Sequence, residues 1–237
     1  MTQQTNQPMQ LQNIEMNQVE LIQWKKYNII SYNKQKLYIK LKNINSPFGV
    51  SDWNGNKKYS MSISINKEIQ EQLTKLQENI ITNILKNKSI KKQLKLKKIN
   101  RDMIDMAFND LYKPNKNPEY LPLLKVNFVP DYNVDGNIKT TSKINGQNKN
   151  TFLAEEIINL VGKHSDMHLI LNPSFYLING KNMGISFKVF AIKMLNKQKK
   201  SIDLSSLQKA LFDDSDTEKD ADKVEELLDS SDDEEEE

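Results

Sequence analysis

A mainly β fold with inserted helices, ending in a disordered acidic tail, is predicted by three observations. First, apolar and polar residues alternate with a period of two over short stretches set apart by Asn, Gly and Pro. Second, the apolar period lengthens to about 3.6 after residue 66, as in an amphipathic helix. Third, charge is segregated. Residues 213–237 hold 15 acidic residues against Lys219 and Lys223, a net of −13, while residues 1–212 hold 32 basic against 16 acidic residues, a net of +16. The total of +3 joins two parts of opposite sign. The acidic run repels itself and has little apolar area to offset its ordering entropy, so disorder is expected there.

The 237 residues suffice for one elaborated domain. Residues 1–18 are read as a Gln/Asn-rich disordered lead-in, 19–200 as one domain, 201–212 as a short helix and 213–237 as the tail. No run approaches the roughly 18 apolar residues of a membrane span, and Met1 to Gln18 lacks the charged-then-apolar pattern of a signal peptide. The absence of cysteine excludes disulfides, thiolate zinc sites and a cysteine nucleophile, and an intracellular setting is expected. Arg101 is the one arginine, a bias that AT-rich coding explains as well as any physical demand.

Taken in order, Tyr27–Tyr32 and Lys36–Lys42 are expected to form a hairpin around Asn33, Lys34 and Gln35. Leu37, Ile39 and Leu41 face one way, and Lys36, Tyr38, Lys40 and Lys42 the other. After a break at Pro47-Phe48-Gly49, a strand from Lys58 to Ile65 sets Tyr59, Met61, Ile63 and Ile65 against Lys58, Ser60, Ser62 and Ser64. Asn66 is placed to cap a helix with the stripe Ile69, Leu73, Leu76, Ile80 and Ile84. A run of cations from Lys86 to Arg101 follows, and a second helix from near Asn100 is expected to bury Ile104, Ala107, Phe108 and Leu111. Strand character returns over Tyr120–Val129. Asp135-Gly136 signals a turn with Asn137–Ile144 as the returning arm, and Thr151–Val161 reads as a short helix. Two strands, Met167–Ile178 and Met183–Met194, close the body. Leu204, Leu207 and Leu211 mark the last helix.

The face Lys36, Tyr38, Lys40 and Lys42 is the most informative local pattern. Cations alternating with an aromatic offer phosphate contacts and a stacking surface together, at about 1–3 kcal/mol per stacked base. An ordinary solvated strand face has the same composition. The serines of 60–64 would keep an adjoining strand slim, as a groove floor needs. The Lys86–Arg101 run reads as a second phosphate-tracking surface, a nuclear-import signal or a solvated linker. Phe175 and Tyr176 put one aromatic on each side of their strand, with Tyr176 the exposed one, and Phe187 and Phe190 divide likewise, with Lys188 on the Phe190 side. Trp24 and Trp53 flank the first sheet, Trp53 as a loop stacker or as rim packing. No catalytic residue is assigned, since no GxxxxGK[ST] or GxSxG motif occurs and the body's acids show no paired spacing. His164 and His168 lack the glutamate of HExxH, so no metal site and no cofactor is assigned.

Several of these segments together carry a family likeness. They are Tyr27-Asn-Ile-Ile-Ser-Tyr with Lys36-Leu-Tyr-Ile-Lys, Pro47-Phe-Gly-Val-Ser, Lys58-Tyr-Ser-Met-Ser-Ile-Ser-Ile, the Asp135-Gly136-Asn137 turn, and the hairpin from Pro173 to Val189, joined to the acidic end. In order and spacing the chain resembles the OB-fold single-stranded DNA-binding proteins of large nucleocytoplasmic DNA viruses, which are similar to the replicative single-strand binder of certain short-tailed phages. The resemblance covers about residues 24–195 and the tail. It implies a five-stranded OB barrel with an inserted helix, and DNA-facing residues at Lys36, Tyr38, Lys40, Lys58, Tyr176 and Lys188. Lys42 joins them by its place on the same strand face. It also implies a tail that contacts polymerase or helicase and covers the groove when DNA is absent, in a viral replication compartment of the host cytoplasm or nucleus. The phage tail ends in an aromatic, whereas this chain ends Glu234–Glu237, leaving Leu227, Leu228 or Phe212 as apolar substitutes. Ser230 and Ser231 precede acids and are candidates for phosphorylation.

Three functions are weighed. The first is sequence-independent single-stranded DNA binding in replication, recombination and repair, without catalysis, the tail meeting its own groove or that of a homodimer partner. The second is an acidic-tailed chaperone for basic partners such as histones or capsid proteins. The third is a nucleic-acid enzyme with an unrecognised site.

Overall fold

The computed structural model describes residues 7–24, 27–52, 55, 58–96, 99–130, 137–138, 142–144, 147–149 and 152–195. All lie in the first of the two units into which the chain divides, Met1–Asn196 and Lys197–Glu237. The expected last helix, the acidic tail, Trp53 and the Asp135-Gly136 turn fall outside the described residues.

The structure is mainly β with helices inserted between strands. A meander of β1 (Val19–Trp24), β2 (Tyr27–Tyr32) and the short Gln35–Lys36 comes first. The main sheet is built from β3 (Ile39–Ser46), β4 (Tyr59–Ser64), β5 (Leu123–Asn127), β6 (Ser165–Ile178) and β7 (Asn182–Met194). Its order is β3-β6-β7-β5-β4, with β5 and β7 parallel and the other neighbours antiparallel. Met9–Gln10 extends the β3 edge, Val50–Asp52 the β4 edge, and Tyr112–Lys113 pairs with β5. The outermost of the five, β3 and β4, approach each other where the Ser46 hydroxyl donates to the Ser62 carbonyl at 3.1 Å.

Alternation in sequence becomes two sheet faces. Along β6, Met167, Leu169, Leu171, Pro173 and Phe175 are buried, while His168, Ile170, Ser174 and Tyr176 on the other face are half-buried. Ile39, Leu41, Met61, Ile63, Leu124, Val126, Phe187 and Val189 complete the inner layer. Helix α1 (Lys67–Lys86) starts as its sequence implies, the Asn66 side chain accepting from the Ile69 N–H at 2.9 Å. Its stripe Leu73, Leu76, Ile80, Ile81 and Ile84 is buried, and the helix packs on the meander and the turn before it, where Asn83 Nδ2 donates to the Val19 carbonyl and Asn79 Nδ2 to the Met16 carbonyl. Helices α2 (Lys88–Gln93) and α3 (Arg101–Ala107) follow; α3 begins beside Asn100 as expected, buries Ile104, and is capped by the Asn100 side chain, which accepts from the Met103 N–H. Helix α4 (Ala154–Leu160) precedes β6.

Four expectations are corrected. Residues 36–42 do not return along 27–32: the ladder stops after Ser31–Lys36 and Tyr32–Gln35, and the chain leaves at Leu37 to pair with β6. The turn is two residues, Asn33 and Lys34, both with positive φ, the type I′ geometry that matches strand twist. The serine strand β4 therefore adjoins β5, not the lysine strand. Residues 7–18, expected to belong to a disordered lead-in, pack on the body: Leu11 and Ile14 are only 2% and 5% exposed and Met9–Gln10 pairs with the β3 edge. In place of one returning arm after residue 136, Asn137–Ile138 pairs with Phe152–Leu153, and Ser142–Ile144 with Gln147–Lys149.

Candidate nucleic-acid interface

The strand pairing decides which side chains share the outer face. Leu171 lies opposite Ile39 and Asn172 opposite Lys188, so Tyr38, the residue just before β3, lines up with Asn172 of β6 and Lys188 of β7. One pleat along, Lys40 lies opposite Ile170 and Ile170 opposite Ala191. A further pleat along, His168 lies opposite Lys193. The Tyr38 and Phe190 rings meet at 4.6 Å between centroids and 49° between planes, on either side of β6. Lys36 Nζ stands 5.7 Å from the centre of the Tyr38 ring, within cation–π range. Beside this group Asn172 is buried, its Nδ2 donating to the Leu37 carbonyl at 2.7 Å, which ties the exit of the first meander to β6. Phe190 keeps 40% of its surface exposed.

Two irregularities shape the cationic end. Lys42 and Asn43 together oppose His168, a bulge absorbed by the positive φ of Asn43. The Asn43 N–H donates to His168 Nδ1 at 3.1 Å. On β7 the register shifts at Phe190, so Ile192 turns inward and Lys193 outward. Burial lowers the His168 pKa, and the charges of Lys193, Lys40 and Lys42 lower it further. Burial, and then the Lys188 ammonium, lowers the Lys36 pKa, while burial raises that of the Tyr38 phenol. The lysine charges that add to burial at Lys36 and His168 place ammonium groups close to both, a repulsion that an anion would relieve. Among the described residues Lys40, Lys42, Lys188 and Lys193 make no ion pair.

Of the residues singled out in the sequence, Lys36, Tyr38, Lys40, Lys42 and Lys188 are brought together. Tyr176 is on the same sheet face but at the far hairpin end, opposite Gly184. Lys58 is outside the group. The row of Lys188 runs through Asn127 to Ser60, and Lys58 lies beyond, its N–H bonded to the Asp52 carboxylate at 3.1 Å. Within the Lys86–Arg101 run, Lys86, Lys88, Lys92 and Lys95 are exposed. Ile90 and Leu94 are buried, and Arg101 is held by Glu78 at 2.6 Å and Asp105 at 2.8 Å. The Lys95 N–H donates to the Gly180 carbonyl at 2.6 Å, docking the β6–β7 turn on this segment. Lys193 and His168 were not assigned from the sequence. Lys193 was not legible there, because strict alternation from Phe187 would have buried it.

No family model matches the chain, and no curated protein matches it in sequence. Among solved structures, the single-stranded DNA-binding protein from bacteriophage Enc34 in complex with ssDNA is similar at 10% identity and a TM-score of 0.44, covering 76% of this chain and 97% of that one. The same phage protein alone is similar at 12% identity and 0.43, covering 80% and 98%. Its C-terminal truncation is similar at 12% and 0.44, covering 77% and 96%.

Proposed function

We propose that this chain is a non-catalytic protein that binds single-stranded DNA with little sequence preference, through the outer face of β3, β6 and β7. One observation carries the reading: Lys36, Lys40, Lys42, Lys188 and Lys193 surround the Tyr38–Phe190 pair on one continuous sheet face. Ammonium groups neutralise phosphates, and rings stack on bases that a duplex would hide. Five main strands whose outermost members meet at Ser46 and Ser62 support reading the sheet as a partly open OB barrel. A setting in viral replication, recombination and repair, and recruitment of polymerase or helicase by the tail, rest on the resemblance stated above. The tail's −13 charge makes it a rival of DNA for the +16 body, on the same chain or in a homodimer.

The test is a titration of the full chain with fluorescent oligo-dT and with duplex of equal length. Oligo-dT should bind more tightly, and log K should fall with log salt at about 0.7 per neutralised phosphate. Charge reversal at Lys188 or Lys40 should flatten that slope by about one phosphate's worth. Equal binding of duplex, or an oligo-dT left unbound, would sink the proposal. Capture of a basic protein in its place would favour the acidic-chaperone reading.

A further inference from the structure

We propose that Tyr176, Gly184 and Asn109 form a second base-stacking station, set apart from Tyr38–Phe190, so that a single strand is gripped at two points along β7. The inference deepens the single-stranded DNA reading and rests on it.

Tyr176 and Gly184 are directly opposed in the β6–β7 ladder. A Cβ built on Gly184 would stand 2.6 Å from the Tyr176 hydroxyl oxygen and 2.9 Å from its ring carbon Cζ. The ring thus lies down across the strand in space that only glycine leaves open. Asn109 Nδ2 donates to the Tyr176 hydroxyl at 2.8 Å and fixes the ring's far end. Asn109 is itself anchored, since its N–H donates to the Met183 carbonyl at 2.8 Å and Phe108 bridges to Met183. A ring laid flat on a strand turns one π-face to the backbone and the other outward, and Tyr176 is half-buried, in keeping with that pose. Pinning it beforehand removes the side-chain ordering cost that stacking would otherwise incur.

Phe190 lies six positions after Gly184, about 20 Å at the rise of a strand. Ser186 and Lys188 lie between them on the same face, Ser186 accepting from Asn127 Nδ2 at 3.2 Å. At about 3.4 Å per stacked nucleotide, this gap takes roughly six nucleotides, fewer if the backbone is stretched. Shorter oligomers would reach one station, longer ones both.

Affinities of the full-length protein for dT4, dT8, dT12 and a twelve-unit abasic strand test this. Tyr176→Ala should weaken dT12 about 5- to 100-fold and abolish most of the gain from dT4 to dT8. It should leave abasic binding, which reads phosphates alone, unchanged. Asn109→Ala and Gly184→Ala should each lose about 3- to 10-fold on dT12, and Tyr176→Phe, which keeps the ring but not its anchor, should resemble Asn109→Ala. Asn109→Ala added to Tyr176→Ala should cost nothing more. Wild-type binding of dT12 with Tyr176→Ala unaffected overturns the second station alone. Equal losses on the abasic strand, or additive losses in the double variant, reduce Asn109 to a structural residue and overturn its role here. A wild-type protein that binds no dT12 overturns the single-strand reading itself.

Discussion

His168 illustrates how much a single side chain on the outer face reports. Its Nδ1 accepts from the Asn43 N–H, an arrangement open only to the neutral ring, and Lys40 and Lys42 on β3 and Lys193 on β7 face it. Its folded pKa lies below the ordinary value of about 6.5, so the unfolded chain takes up a proton first. Stability is therefore unaffected above about pH 6.5 and is lost as pH falls from there through the folded pKa. Bound phosphates act in the other direction. They raise the His168 pKa, so DNA binding should take up a proton and tighten as pH drops below about 6.5. An NMR titration of the His168 ring, with and without oligo-dT, should show its midpoint rise on binding. A midpoint unmoved by DNA would place His168 away from the phosphates.

At the scale of elements, the Asn33-Lys34 turn offers a direct check of the fold. Lys34 holds φ at 62°, where a side chain is strained and glycine is not. Lys34→Gly should raise stability by about 0.5–1 kcal/mol, read as a higher urea midpoint with an unchanged slope. The turn's length was not legible, but other local matters were: Asn66 caps the helix it precedes, a helix begins beside Asn100, and Leu37, Ile39 and Leu41 turn inward as their alternation implies. Partner choice was not legible, because a two-residue ladder at 31–36 and a long one at 39–46 look alike as alternating runs. The bulges were equally hidden: nothing in Lys188-Val189-Phe190-Ala191 announces the shift that carries Lys193 to the outer face. Asn109 was missed for a related reason. Its partner Tyr176 lies 67 residues away, and polar side chains in a loop carry no pattern that names such a contact.

For the molecule as a whole, separation of charge sets the expected behaviour. On the function proposed above, a body of +16 tethered to a segment of −13 would attract a polyanion while holding a rival at high local concentration. Removing residues 213–237 should tighten binding of oligo-dT and flatten its response to salt. Unchanged affinity in that truncation would show that the acidic segment does not compete. The one arginine is paired with Glu78 and Asp105. The group around Tyr38 and Phe190 thus presents its positive charge as ammonium alone, without the rigid fork that reads a guanine edge in two places. If this surface binds DNA as proposed, it should be blind to base identity, and acetylation should dim it one lysine at a time, like a lamp on a graded switch.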